Sequence, residues 1–359
     1  MMNRRDLLRA AGAAGAVSLA GCAGLFGTTT TNSREPPLVE NRPDAVYVPT
    51  HREGMKPIGM ARAGDLMVAT SYSYAHRFWP VENEGGEYVA KRQDVERDDA
   101  VHLMTRVWEP ETGVVIPDAG VTVALARDGE SVFEEVVYPM LSQRMGVHYG
   151  DNAPVGGDGT HQLSVTVGGL DDLARFGAFE GTFGSAATAN FEWTYSEAER
   201  NKIPFELLEE KQGTRGALDT MEMSMGDGMS MPMGSAPTPD SLPGAALGEA
   251  TAGDLRFVGR VAEADRFGDD PYLLVSPRTR YHAYVLGAMG LSATVSDGKF
   301  DGTLQPGLDP EAGYHYGASV PGLAADDTVE LGVDTPPVVA RHEGYETAFF
   351  DVGPVTLSG

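Results

Sequence analysis

Four short motifs occur twice in this chain and in the same order, so whatever fold the first half takes, the second half must take too. Ala63-Gly64-Asp65-Leu66 recurs as Ala252-Gly253-Asp254-Leu255, and Val101-His102 is matched by Tyr281-His282. Val147-His148-Tyr149-Gly150 returns as Tyr314-His315-Tyr316-Gly317. Ala174-Arg175-Phe176-Gly177-Ala178-Phe179-Glu180 returns, more loosely, as Ala340-Arg341-His342-Glu343-Gly344-Tyr345-Glu346. Matches that keep their order are the mark of an internal duplication. Within the copies, runs such as Val121-Thr122-Val123-Ala124-Leu125 and Leu163-Ser164-Val165-Thr166-Val167 alternate apolar and polar residues. That is the period of strands with one wet face. Gly and Pro punctuate these runs and no long helical period intervenes, so the expected class is all-β: two immunoglobulin-like β-sandwich domains, residues 45–200 and 248–359. Between them, residues 201–247 read as a short helix (within 196–212) followed by a flexible linker rich in Met, Gly, Pro and Ser.

The first 22 residues obey different rules. Arg4-Arg5 precedes Leu7-Leu8 and an apolar run from Ala10 to Ala20, too short to span a bilayer and typical of a signal sequence. The arginine pair is the twin-arginine pattern, and Leu19-Ala20-Gly21-Cys22 matches a lipobox that would place a lipid on the Cys22 thiol. Cys22 is the only cysteine, so disulfides and thiolate metal sites are excluded. The expectation is a protein exported by the twin-arginine pathway and anchored through Cys22 to the outer face of the cell membrane, with residues 23–44 as a tether.

The chain carries a formal net charge of −25, and its lysines are only Lys56, Lys91, Lys202, Lys211 and Lys299. An acidic, lysine-poor surface holds water and cations in concentrated salt, which points to a halophilic archaeon. The same charge excludes nucleic acid, because no basic patch is available to neutralise phosphates.

No nucleophile elbow, phosphate-binding loop, dinucleotide fingerprint or zinc-protease helix is present, so no catalytic turnover is expected. What remains is histidine, methionine and carboxylate. In Tyr138-Pro139-Met140-Leu141 … Met145-Gly146-Val147-His148-Tyr149-Gly150, thioethers and an imidazole lie close together. Such a set suits copper, or iron and zinc when carboxylates join it; the competing reading is that the methionines fill core space. His102 and His282, at matched places in apolar runs, are either buried structural residues or further ligands. His51 and His161 read as surface residues.

The segment Pro139-Met140 followed by Gly146-Val147-His148-Tyr149-Gly150 resembles the periplasmic iron-transport accessory proteins, a family of immunoglobulin-like, metal-binding, dimerising proteins. The resemblance implies that Met140 and His148 are copper ligands, joined by a histidine from a later Gly-Arg-His-type segment and a glutamate on an early strand. In the second copy His315 is kept but Gly307 stands where the methionine belongs. His342 fits the later histidine, whereas the first copy has Phe176 there. For the glutamate, Val261-Ala262-Glu263-Ala264-Asp265 is the counterpart in copy two, against Ser71-Tyr72-Ser73-Tyr74-Ala75-His76 in copy one. Each copy thus holds part of the set: either the copies form a pseudo-dimer that pools its ligands, or the sites have decayed. The site expected from this reasoning comprises Met140, Met145, His148 and His102 with His282, His315 and His342, and Tyr149 and Tyr316 as groups orienting the imidazoles.

The linker adds Met221, Met223, Met225, Met229, Met231 and Met233 among small polar residues, without the periodicity that burial needs. Closely spaced thioethers suit Cu(I); the plainer reading is a spacer whose methionines absorb oxidants. Together these features predict a lipoprotein that binds copper or iron and passes it to a membrane permease, as a homodimer or an intramolecular pseudo-dimer. The alternative is an adhesion or assembly module with structural histidines.

Overall fold

The computed structural model describes residues 35–221 and 231–359. The twin-arginine segment, Cys22 and the linker methionines Met223, Met225 and Met229 lie outside them. Residues 32–359 form one compact unit, and among the described residues no helix is long and apolar enough to cross a membrane.

The structure is built from two all-β domains. In spatial order, the first sheet runs Lys56–Ala63, Leu66–Tyr74, Val101–Trp108, Gly146–Ala153, Glu130–Ser142, Val121–Arg127, Gly159–Val167 and Ala187–Tyr195. The second runs Ala245–Ala252, Leu255–Ala262, Tyr272–Thr279, Gly313–Ser319, Phe300–Asp309, Gly290–Val295, Val329–Thr335 and Val355–Leu357. The two orders correspond strand for strand, and every neighbouring pair along them is antiparallel. The first sheet curls so that its two outermost strands meet: a Cβ at Gly59 would lie 2.9 Å from the ring of Phe191. Alternation then sends Val123, Leu125, Leu163 and Val165 inward, each at most 3% exposed. Each such side chain contributes roughly 1.5–3 kcal/mol of burial. The helix expected within 196–212 is a single turn, Glu197–Arg200, followed by the strand Phe205–Leu207.

The copies exchange a short segment. Ala340–Arg341, from copy two, pairs in parallel with Met140 and Leu141 of copy one. Reciprocally, Ala174–Arg175 of copy one pairs in parallel with Gly307 and Leu308 of copy two. One apolar core runs through both copies, and the Tyr284 hydroxyl of copy two donates to the Gln143 carbonyl of copy one at 3.0 Å.

The methionine-rich segment departs from a free spacer at both described ends. The Met221 amide donates to the Arg144 carbonyl at 2.9 Å, and the Met233 carbonyl accepts from Val147 N at 3.1 Å. Met231 is 6% exposed and belongs to the core. Gly146, at φ +70°, permits this docking, since a Cβ there would stand 2.0 Å from the Met233 oxygen. The described ends are held by Arg144 and Val147, at the turn of the hairpin that joins Glu130–Ser142 to Gly146–Ala153, a long-range contact that local periodicity does not reveal.

Candidate metal centre

The hairpin formed by Glu130–Ser142 and Gly146–Ala153 sets Met140 directly opposite His148. The short strand Ala340–Arg341 lies against the same Met140, and its pairing delivers the next residue, His342, whose amide donates to the Leu141 carbonyl at 3.1 Å. The Nε2 atoms of His148 and His342 are consequently 3.1 Å apart, although 194 residues separate them in sequence. His102 enters from the neighbouring strand, where the register places it between Ser73 and Asn152. His76, two residues beyond the end of Leu66–Tyr74, completes the group. Ring centroids are 4.2 Å apart for His76 and His102, 4.8 Å for His76 and His342, and 5.0 Å for His148 and His342. The ligand atoms of His76, His102 and His342 fall within 4.8 Å of one another. Met140 turns its sulfur toward the same place: a Cβ at Gly150 would lie 2.9 Å from His102 Nε2 and 3.3 Å from Met140 Sδ.

The tautomers follow from the partners. Carbonyl oxygens only accept, so His148 Nδ1 donates to Gly146 O at 3.1 Å and His76 Nδ1 to Tyr74 O at 3.0 Å, with Glu53 Oε1 also 3.1 Å away. Asn152 donates its amide to the His76 carbonyl at 2.8 Å, which fixes its orientation and leaves Oδ1 to accept from His102 Nδ1 at 2.9 Å. In the neutral form of each ring Nε2 is then the lone pair, and it faces the other rings. The Nε2 atoms of His76 and His102 are buried with no hydrogen-bond partner, a state that normally costs about 1–3 kcal/mol for each polar group.

Burial disfavours the charged form of His102, His148 and His342. It depresses His148 to about 3, with the nearby Arg106 guanidinium adding to the effect, and it pushes His102 and His342 well below the usual histidine range. Converging neutral imidazoles with a thioether and a flanking carboxylate form a donor set for copper, and one that iron or zinc also accepts. Nitrogen ligands about 2.0–2.1 Å from an ion stand roughly 3.3 Å from each other, close to the His148–His342 separation. The group opens on a cavity of about 80 Å³ whose walls include His51, Glu53, Met104, Met145 and Glu343.

The structure gathers His102, His148, His342 and Met140, with Met145 on the cavity wall, and adds His76, which sequence reasoning did not single out as a ligand. The signal for it was present: His76 stands in the stretch aligned with the early-strand glutamate. His282 and His315 lie elsewhere. The register makes Tyr272, not His282, the counterpart of His102, since Tyr272 faces Ala262 and Ser319 as His102 faces Ser73 and Asn152. His282 instead occupies a turn at φ +66°, against Tyr284. His315 is fully buried, but the space around it is filled by Phe176, Phe267 and Tyr272, and its Nε2 meets the Tyr272 hydroxyl at 3.3 Å. Copy one's group draws His342 from copy two, and the reciprocal place is occupied by aromatic rings.

Three further expectations need correction. Tyr149 and Tyr316 do not orient the imidazoles; their hydroxyls donate to the carbonyls of Ile116 at 2.7 Å and Leu286 at 3.2 Å, on the core side of the strands. His161 is buried rather than superficial, held between the carbonyls of Gly159 and Val155. His51 borders the cavity and stacks on Phe205 at 5.3 Å.

Fold and geometry therefore define a duplicated all-β chain with, among the described residues, a histidine-lined cleft to which His342 and Glu343 of copy two contribute. The chain belongs to the family described as domain of unknown function DUF7350, which it matches over residues 58–192 and 240–358. Two solved structures of FetP from uropathogenic Escherichia coli strain F11, one as isolated and one a copper-bound variant, are each 19% identical to it. They cover 40% and 39% of this chain and 96% and 97% of their own, with TM-scores of 0.30 and 0.29. No curated protein matches the chain.

Proposed function

We propose that this protein binds a copper or iron ion in the cleft between its copies and passes it to a membrane transport system, without catalytic turnover. The observation that carries this reading is the convergence of imidazoles from both copies, with Nδ1 of His76, His102 and His148 tied to oxygen acceptors and Nε2 turned toward a common point. Two of those atoms have no partner in the protein, and a cation would supply one. The motif around Met140 and His148, with its resemblance to periplasmic iron-transport accessory proteins, supports the same reading. The twin-arginine and lipobox sequences support an exported protein held to the outer membrane face through Cys22.

Metal analysis of the purified protein tests this. One tightly held copper or iron ion per chain is expected, lost when His148→Ala is combined with His342→Ala. A protein that takes up neither metal, or a double variant that keeps its ion, would overturn the proposal.

A further inference from the structure

Six methionines from several parts of the chain line one cavity, the small space beside it, or the imidazole group itself. Met55 and Met221 are half-buried in the wall of the cavity. Met104 and Met145 line that cavity and also a small adjoining one, where Met231 and His148 join them. Met140 lies at the inner end, its sulfur converging with His102 Nε2 on Gly150. Met104, Met145, Met231 and Met140 are 1–6% exposed, so an ion among them would have shed its water.

The geometry points to a thioether-lined loading path for a soft monovalent cation of the Cu(I) type, running from the cavity mouth to the imidazole centre. The inference rests on the metal-binding reading above and adds the class of ion and its route. Thioethers carry no charge and hold hard divalent ions poorly, while a soft d¹⁰ ion binds them well enough to enter and weakly enough to move on. Both ends of the methionine-rich segment are fastened beside this path, by Met221 N on Arg144 and the Met233 carbonyl on Val147. Ordinary core filling explains the buried members, but not a row that starts half-exposed at an open cavity and ends at unpartnered imidazole nitrogens.

Leucine keeps methionine's volume without its sulfur and is tolerated in cores, so Met55→Leu with Met104→Leu removes thioethers from the path and little else. The probe is Ag(I), a redox-inert stand-in for Cu(I), titrated into the full chain, with Cu(II) affinity measured alongside. We expect Ag(I) affinity to fall about tenfold or more while Cu(II) affinity and the thermal midpoint stay near those of the unaltered protein. Met60→Leu with Met67→Leu, methionines away from the cavity, should leave Ag(I) binding unchanged. Unaltered Ag(I) affinity in the first variant overturns the path, as does a parallel fall in Cu(II) affinity, which would mean that these residues only pack around the centre. Should the double variant fail to fold, Met221→Leu at the mouth asks the same question with the same outcomes. An unaltered protein that binds Ag(I) but no Cu(II) would sink the imidazole centre and leave the thioether comparison standing, so the two readings fail separately.

Discussion

A buried imidazole serves a metal only when one nitrogen is tied down and the other is free. His161 shows the contrary case: it is fully buried, but Nδ1 lies 3.0 Å from Gly159 O and Nε2 2.8 Å from Val155 O, so both nitrogens face the backbone and neither is turned toward a shared centre. His102 differs through Asn152 alone. That one side chain accepts from His102 Nδ1, accepts from the His76 amide at 3.3 Å, and donates to the His76 carbonyl, so it positions two of the rings at once. Asn152→Ala should therefore weaken Cu(II) binding about 10- to 100-fold, the range seen when groups behind metal ligands are removed. It should also cost about 1–3 kcal/mol of stability, from buried polar atoms left unpaired. Affinity titration beside chemical denaturation checks both; stability lost with affinity intact would reduce Asn152 to a structural residue.

At the scale of the element, the hairpin that pairs Met140 with His148 has a twin that pairs Gly307 with His315. In the twin, a Cβ at Gly307 would lie 2.9 Å from the Phe176 ring and 3.2 Å from His315 Nε2. The ring thus stands where the missing side chain would go. Gly307→Met alone should overpack this place and destabilise by about 1–3 kcal/mol. Combined with Phe176→His it should recover stability and give the chain a second, weaker ion, read as metal stoichiometry. No gain in metal from the combined variant would show that Tyr272, standing where copy one has His102, closes the place by itself. These hairpins were legible in the sequence, because strand alternation and the paired Val-His-Tyr-Gly and Tyr-His-Tyr-Gly motifs are local signals. Alternation also settles Tyr149: if His148 faces the centre, its neighbour must face the core, where the structure puts it. The match of His102 with His282 rested on a repeated aromatic-or-aliphatic–His dipeptide, and only the pairing register, a property of partner strands, reveals Tyr272 as the true counterpart. His102, His148 and His342 were legible as candidate ligands and His76 was not; the meeting of His342 with His148 depends on a segment crossing between copies, which no local pattern encodes.

For the whole molecule, that crossing makes the two copies one structure. Each lends a strand segment to the other's sheet, and the core is continuous between them. Unfolding should be a single transition, with fluorescence and circular dichroism midpoints coinciding, and an ion bound only by the folded state should raise that midpoint in both copies together. At free ion a hundred times the dissociation constant the gain is about 2.7 kcal/mol. Two resolved transitions, or a metal-induced shift confined to one of them, would contradict this coupling.

In a dimer of identical single copies every substitution appears twice, so a site cannot be surrendered on one side and kept on the other. Here the equivalent positions 176 and 342 hold phenylalanine and histidine, a difference that a dimer of identical copies could not carry. Joining the copies has given the molecule a front and a back: one face opens on imidazole and sulfur, while its mirror place is sealed with aromatic rings and is free to drift toward another purpose.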